Sequence, residues 1–302
     1  MMTTPSYETT LEQLAVEDES IVVMTAENRA AIRHLPERLG PRFIDVGICE
    51  QTLVGAAAGL ALRGRIPVIH ALAAFLTMRA FEFIRTDVGI GGLPVKLVGG
   101  VPGLLSEANG PTHQAVEDIA LMRCIPGMQI FCPSDEEELI AGLPHMISHP
   151  SPCYVRYNAL PAAVEHRQEF AIGEAEILRE GDDIAILTYG FLVREAVTAA
   201  AILEAEGKTV SVVNMRTLRP VDEDAILRSA TEAALVVTLE DHVQNGGLRT
   251  IVSEILSGYG ITANILPLAL NDRGFRPGLL PDVLVNEGLS GEMIARRILD
   301  YP

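Results

Sequence analysis

The sequence predicts an α/β protein built as two three-layer αβα domains, and three observations predict it. Short apolar runs alternate with longer helix-like stretches along all 302 residues, which is the pattern of βαβ units around parallel sheets. Several of the short runs are apolar throughout rather than alternating, as strands covered on both faces are. The composition, 48% hydrophobic, 5% aromatic and without Trp, suits an aliphatic core and excludes a disordered chain.

In chain order, strands are expected at residues 21–24, 43–46, 66–70, 95–99, 129–131 and 153–156, where the apolar runs are short. Helices fill the intervals at 50–62, 76–87, 115–124 and 136–146. The apolar rhythm lapses over a polar stretch that includes Glu165-His-Arg-Gln-Glu169, then restarts. Strands at 184–188, 209–214, 235–239 and 264–269 alternate there with helices at 193–206, 222–231, 246–257 and 290–299. This gives a first domain over 1–158, a linker over 159–172 and a second domain over 173–302. No repeat or heptad run interrupts the plan.

Charge narrows the function. With 23 Lys and Arg against 40 Asp and Glu the net charge is −17, which repels phosphate backbones and anionic lipids. No nucleic-acid or membrane partner is expected, although a local basic pocket for an anionic substrate is still allowed. The longest apolar stretches, 53–62 and 66–78, fall short of the ~18 residues a spanning helix needs. The N-terminus lacks the basic and apolar regions of a signal peptide. Four cysteines without CxxC spacing fit free thiols, and a cytoplasmic location is expected.

Several motifs have ordinary explanations. His145 and His149 stand at i, i+4, but no third ligand is evident and no metal site is expected. Ser134-Asp-Glu-Glu137 opens a helix, where acidic residues cap the first turn. The glycines at 89–92 and 99–103 match no dinucleotide fingerprint and read as turns. Glu50 stands out, because it follows a buried strand and opens an apolar helix. A carboxylate there needs a partner or a raised pKa; a helix-terminal charge is the plainer alternative. His113, in Asn109-Gly-Pro-Thr-His113-Gln114, projects from a tight loop at a helix mouth, where it can act as a general acid or base or donate to an oxyanion.

Taken together, Asp45-Val-Gly-Ile-Cys-Glu50-Gln51, Ala74-Phe75-Leu76 and Gly110-Pro-Thr-His-Gln114, in this order, resemble the pyrimidine-binding domain of transketolase-like thiamine diphosphate enzymes. Val155-Arg156-Tyr157 and Thr238-Leu-Glu-Asp-His242, followed by Gly246-Gly247, extend the resemblance over nearly the whole chain. The resemblance implies a pyrimidine-binding domain followed by a transketolase C-terminal domain. It assigns Glu50 to activation of the cofactor, Phe75 to stacking on the pyrimidine and Arg79 to cofactor binding. His113 would lie near the reacting oxygens, with Arg156 and Asn109 on the substrate and Arg156 gripping an anionic tail.

Transketolases also carry a Gly-Asp-Gly motif that holds Mg²⁺ and the diphosphate, and no Gly-Asp-Gly occurs here. The resemblance therefore implies the second subunit of a split, two-carbon-transferring enzyme. Thiamine diphosphate would be shared with a partner chain that holds the Mg²⁺, and self-association through this chain would give an α₂β₂ assembly. The sugar and phosphate contacts also depart from the family, with Ala73-Ala74 before the stacking Phe, Val101 for a His, Asn109 for an Asp and Ser6-Tyr7-Glu8 where an Arg is expected. Charged hydrogen bonds contribute about 1.5–3 kcal/mol each, so ordinary pentose phosphates are disfavoured and a less polar pocket is expected. The alternative is the beta subunit of a 2-oxoacid dehydrogenase or decarboxylase complex, and a non-catalytic scaffold is disfavoured by the presence of Glu50, Phe75 and His113 together.

Overall fold

The computed structural model describes residues 5–167, 169–271 and 277–302. Twelve strands are present among them: β1 (Ile21–Thr25), β2 (Phe43–Asp45), β3 (Ile66–Leu72), β4 (Lys96–Gly100), β5 (Gln129–Phe131), β6 (Cys153–Tyr157), β7 (Glu176–Arg179), β8 (Ile184–Thr188), β9 (Val210–Asn214), β10 (Thr217–Arg219), β11 (Leu235–Val243) and β12 (Ile265–Leu270). They form a seven-stranded sheet in the order β10-β5-β6-β4-β3-β1-β2 and a five-stranded sheet in the order β12-β11-β8-β9-β7. Pairing is parallel except at β10 and β7, which close one edge of each sheet antiparallel.

The continuous apolar strands are covered on both faces. Ile21 and Val23 of β1 pack with Tyr7 and Leu11 of the helix Tyr7–Glu17 and with Leu139 and Leu143 of the helix Glu136–Ser148. Val22 and Met24 point the other way, onto Leu53, Val54 and Ala57 of the helix Glu50–Ala61. Adjacent residues of one strand thus serve two helical layers. The second sheet repeats the arrangement, with Ile184 and Ile186 facing the helices Val193–Ala205 and Gly291–Leu299, and Ala185 and Leu187 joining the core of the first sheet. Its apolar interior is therefore continuous from one sheet to the other. The strand β10 also crosses over, since Thr217 pairs with Phe131 of β5.

The simple motifs take structural roles. Asp135 caps the helix Glu136–Ser148 by accepting from the Glu138 N–H at 3.0 Å. His145 packs against Phe170, whereas His149 Nδ1 accepts from the Ser151 N–H, so the two imidazoles face different partners.

A buried charge cluster ties the joining segment to both sheets. His166 lies 2.8 Å from Asp135 and 2.7 Å from Glu176, while Arg216 lies 2.8 Å from Glu138 and 3.0 Å from Glu176. Burial opposes a charged imidazole, but the hydrogen bonds to Asp135 and Glu176 outweigh it and hold His166 up at about 10. Burial likewise works against the Glu176 carboxylate, yet His166, the Arg167 N–H and Arg216 bring it down to about 2. The imidazolium therefore contributes stability below its ordinary value of 6.5 and loses it as pH rises toward about 10. Glu176 contributes above its ordinary 4.5 and loses its share as pH falls toward about 2. In urea unfolding, the wild type is expected to lose more stability between pH 6 and pH 9.5 than His166→Ala does. Equal losses in the two proteins would show that His166 carries no proton in the fold.

Candidate active site

The site lies at the carboxyl ends of the parallel strands, where open α/β sheets place their ligands. Beyond β1 and β3, Ala26, Glu27, Asn28, Ile48, Glu50, Leu72 and Phe75 surround a cleft of about 320 Å³. Glu50 is the first residue of its helix and is only 2% exposed. The helix-start dipole favours an anion there. Its Oε2 accepts from Arg79 Nη1 at 2.9 Å, so the partner that the sequence requires of this carboxylate is Arg79. Its other oxygen, Oε1, accepts no hydrogen bond among the described residues.

Phe75 and Arg79 begin and end one π-helical turn, Phe75–Arg79. The wider turn brings the Arg79 guanidinium over the Phe75 ring, 4.5 Å from its centroid. Such π-turns recur at functional sites because the extra residue re-aims side chains. On another side, His113 meets Phe75 edge-on, with ring centroids 5.0 Å apart at 64°. Thr112 Oγ1 lies 2.9 Å from His113 Nδ1, and Nε2 is left without a hydrogen bond among the described residues. Ala73, Ala74 and Ala115 pack together behind Phe75 and seat the His113 loop on the strand end. Glu50, Phe75, Arg79 and His113 are thus brought together from positions up to 63 residues apart in the chain.

Asn109 is exposed on the same loop, at the end of the turn Leu104–Asn109, with Nδ2 3.5 Å from Ser106 Oγ. Arg156 stands apart from the expectation of a substrate grip. It is 3% exposed, its Nε donates to Asp118 at 2.9 Å, and its two Nη groups donate to Asp241 at 2.8 and 3.2 Å. Tyr189 lies beneath the guanidinium at 5.3 Å. Its charge is committed to two buried carboxylates, so the expected anion contact is corrected to a structural one. This network also braces the His113 loop. Gly103, at φ 56°, carries the bridge to Ala115, and a Cβ there would stand 1.6 Å from Asp241 Oδ2.

Asn28 and His70 carry no site signal in the sequence, and Tyr7 is legible only within Ser6-Tyr7-Glu8, the segment that stands where an Arg is expected. His70 was legible only as a polar interruption of the apolar stretch 66–78. Its partner Tyr7 lies 63 residues away in sequence.

A carboxylate and an aromatic face set in a cleft at parallel strand ends, with a histidine beside them, are an arrangement that α/β enzymes place at their ligand sites. Comparison with known proteins specifies it. Residues 1–160 match the transketolase pyrimidine-binding domain, and residues 173–294 match the transketolase C-terminal domain. The 6-deoxy-6-sulfo-D-fructose transketolase subunit of Clostridium sp. (strain MSTE9) is 37% identical over 295 residues, covering 96% of this chain and 91% of that one. The 1-deoxy-D-xylulose-5-phosphate synthase of Syntrophotalea carbinolica is 35% identical over 304 residues, covering 98% of this chain and 47% of that enzyme. A solved split-gene transketolase, described as an inactive beta4 tetramer, superimposes with a TM-score of 0.86 at 32% identity and covers 97% of this chain and 95% of its own. The chain belongs to the transketolase family.

Proposed function

We propose that the chain is the second subunit of a split transketolase, which transfers a two-carbon ketol unit after joining a diphosphate-binding subunit. The observation that carries this reading is the buried Glu50 carboxylate, with one oxygen uncommitted, beside the Phe75 face. Those groups fit a flat heteroaromatic ring whose ring nitrogen shares a proton with the carboxyl group, as the pyrimidine of thiamine diphosphate can. When bound, the cofactor supplies the nucleophile that carries the two-carbon unit. Glu50 would hold the ring proton at Oε1, Phe75 would support the ring, and Arg79 would keep Glu50 oriented. His113 would donate from Nε2 to an oxygen of the substrate, with Asn109 on the same loop as a further substrate contact.

The similarity to a transketolase subunit and to a split-gene transketolase supports a division of labour in which the partner holds Mg²⁺ and the diphosphate. The rim supports docking, because Ile48 is 72% exposed beside the cleft and Met78 is 41% exposed on the Phe75 turn. Exposed apolar groups grouped around a site mark a protein contact. An α₂β₂ assembly is the arrangement we propose. No helix among the described residues is long and apolar enough to cross a membrane. Separately, the free cysteines support the cytoplasmic location that we propose.

Calorimetry tests the division. With Mg²⁺ present, thiamine diphosphate is expected to bind the chain alone at least ~100-fold more weakly than the assembled pair, a difference of about 2.7 kcal/mol. Tight one-to-one binding to the lone chain would overturn the split.

A further inference from the structure

Beside the Glu50 cleft lies a second recess of about 230 Å³, formed where β1, β3, β4 and β6 end. The two share Asn28 and Leu72 as a common wall, so they are immediate neighbours. Ala30, Ala31, Leu72, Val98 and Val101 give the recess an apolar lining. Its polar groups are the Asn28 amide, the His70 imidazole and the Tyr157 phenol, and no Lys, Arg, Asp or Glu lines it among the described residues. We propose that this recess is a substrate subsite that takes the uncharged end of the sugar chain, a hydroxymethyl or methyl terminus, and excludes phosphate, sulfonate and carboxylate. The proposal rests on the transferase reading above and names the substrate class of that site.

The floor explains why the subsite stays neutral. Tyr7 Oη lies 2.8 Å from His70 Nε2, and His70 Nδ1 lies 3.2 Å from the Met24 carbonyl. A carbonyl only accepts, so Nδ1 carries the hydrogen and Nε2 accepts from the tyrosine. Both nitrogens of a neutral ring are thereby satisfied. Burial disfavours a charge on His70 and lowers its pKa to about 4. Burial, with Glu136 and Glu8 nearby, pushes Tyr157 up to about 12, so it too is uncharged at neutral pH. Arg156, on the strand that leads to Tyr157, is held by Asp118 and Asp241. An anion entering here would lose its water and meet no cation from this chain. A hydroxyl, by contrast, can exchange hydrogen bonds with Asn28 and Tyr157 while its carbons meet the alanines and valines.

Two measurements test the subsite. In the assembled enzyme, kcat/KM with erythrose as acceptor is expected to exceed that with erythrose 4-phosphate by about tenfold or more, since the phosphate would give up its water with no charged hydrogen bond in return. Ala30→Arg, at an exposed position on the rim, is expected to move the ratio toward the phosphate by a similar factor. Transfer that favours the phosphorylated acceptor overturns the subsite and leaves the transferase reading standing. If no two-carbon transfer occurs with either acceptor, that reading fails, and the subsite is decided by methyl NMR of the full chain alone. There erythritol is expected to shift the Leu72, Val98 and Val101 methyl signals, and inorganic phosphate is expected to leave them in place. Phosphate shifting these methyls more than erythritol does, or neither shifting them, overturns the subsite.

Discussion

Glu50→Gln is expected to lower two-carbon transfer by the proposed assembled enzyme about 10²–10⁴-fold, the range for loss of a positioned proton-transfer group. The substitution keeps the shape of the side chain and an oxygen for Arg79. Folding is expected to change little, because Arg79 is 45% exposed in this ion pair and such pairs contribute about 0–1 kcal/mol. Activity and stability therefore separate. Steady-state kinetics and thermal unfolding of the same preparation check this, and unchanged kcat would reduce Glu50 to a helix-terminal charge.

Arg156→Met has the opposite signature. It leaves Asp118 and Asp241 buried without their cation, with side chains 0% and 2% exposed. Breaking a buried pair by removing one partner costs about 3–5 kcal/mol. Burial already pushes the Asp241 carboxyl upward against the pull of Arg156, so the loss is greatest at pH values where Asp241 is ionised. Urea unfolding measures it directly. A substrate-gripping arginine would instead raise KM and leave stability unchanged, and that result would restore the reading suggested by its place in the sequence.

The difference between these two residues shows what a sequence makes legible. Glu50 is conspicuous because its own neighbours are apolar, and its helix begins at the expected residue. The alternation of runs likewise exposes the parallel strands, and the Gly-Pro turn exposes His113. Arg156 offers no comparable signal, because its partners stand 38 and 85 residues away and only the fold joins them. The strand β10 escapes for a related reason. Three residues, Thr217–Arg219, have no readable period, and their pairing partner β5 comes from the first half of the chain, in whose sheet β10 is the edge strand. The helix expected over 76–87 forms as two π-helical segments, Phe75–Arg79 and Ile84–Gly89, around a short α-helical turn. A period of 3.6 conceals the added residue that places Arg79 over Phe75. The helix Leu280–Glu287 and the strand β7, with 8 and 4 residues, are likewise too short to show a period.

The measurement that bears most directly on the central claim is two-carbon transfer by this chain alone, by a diphosphate-binding transketolase subunit alone, and by the two mixed with Mg²⁺ and thiamine diphosphate. The account predicts no transfer by either chain alone and transfer by the mixture that saturates near equal molar amounts. Transfer by this chain alone, or none by a mixture shown to have assembled with the cofactor bound, would contradict it.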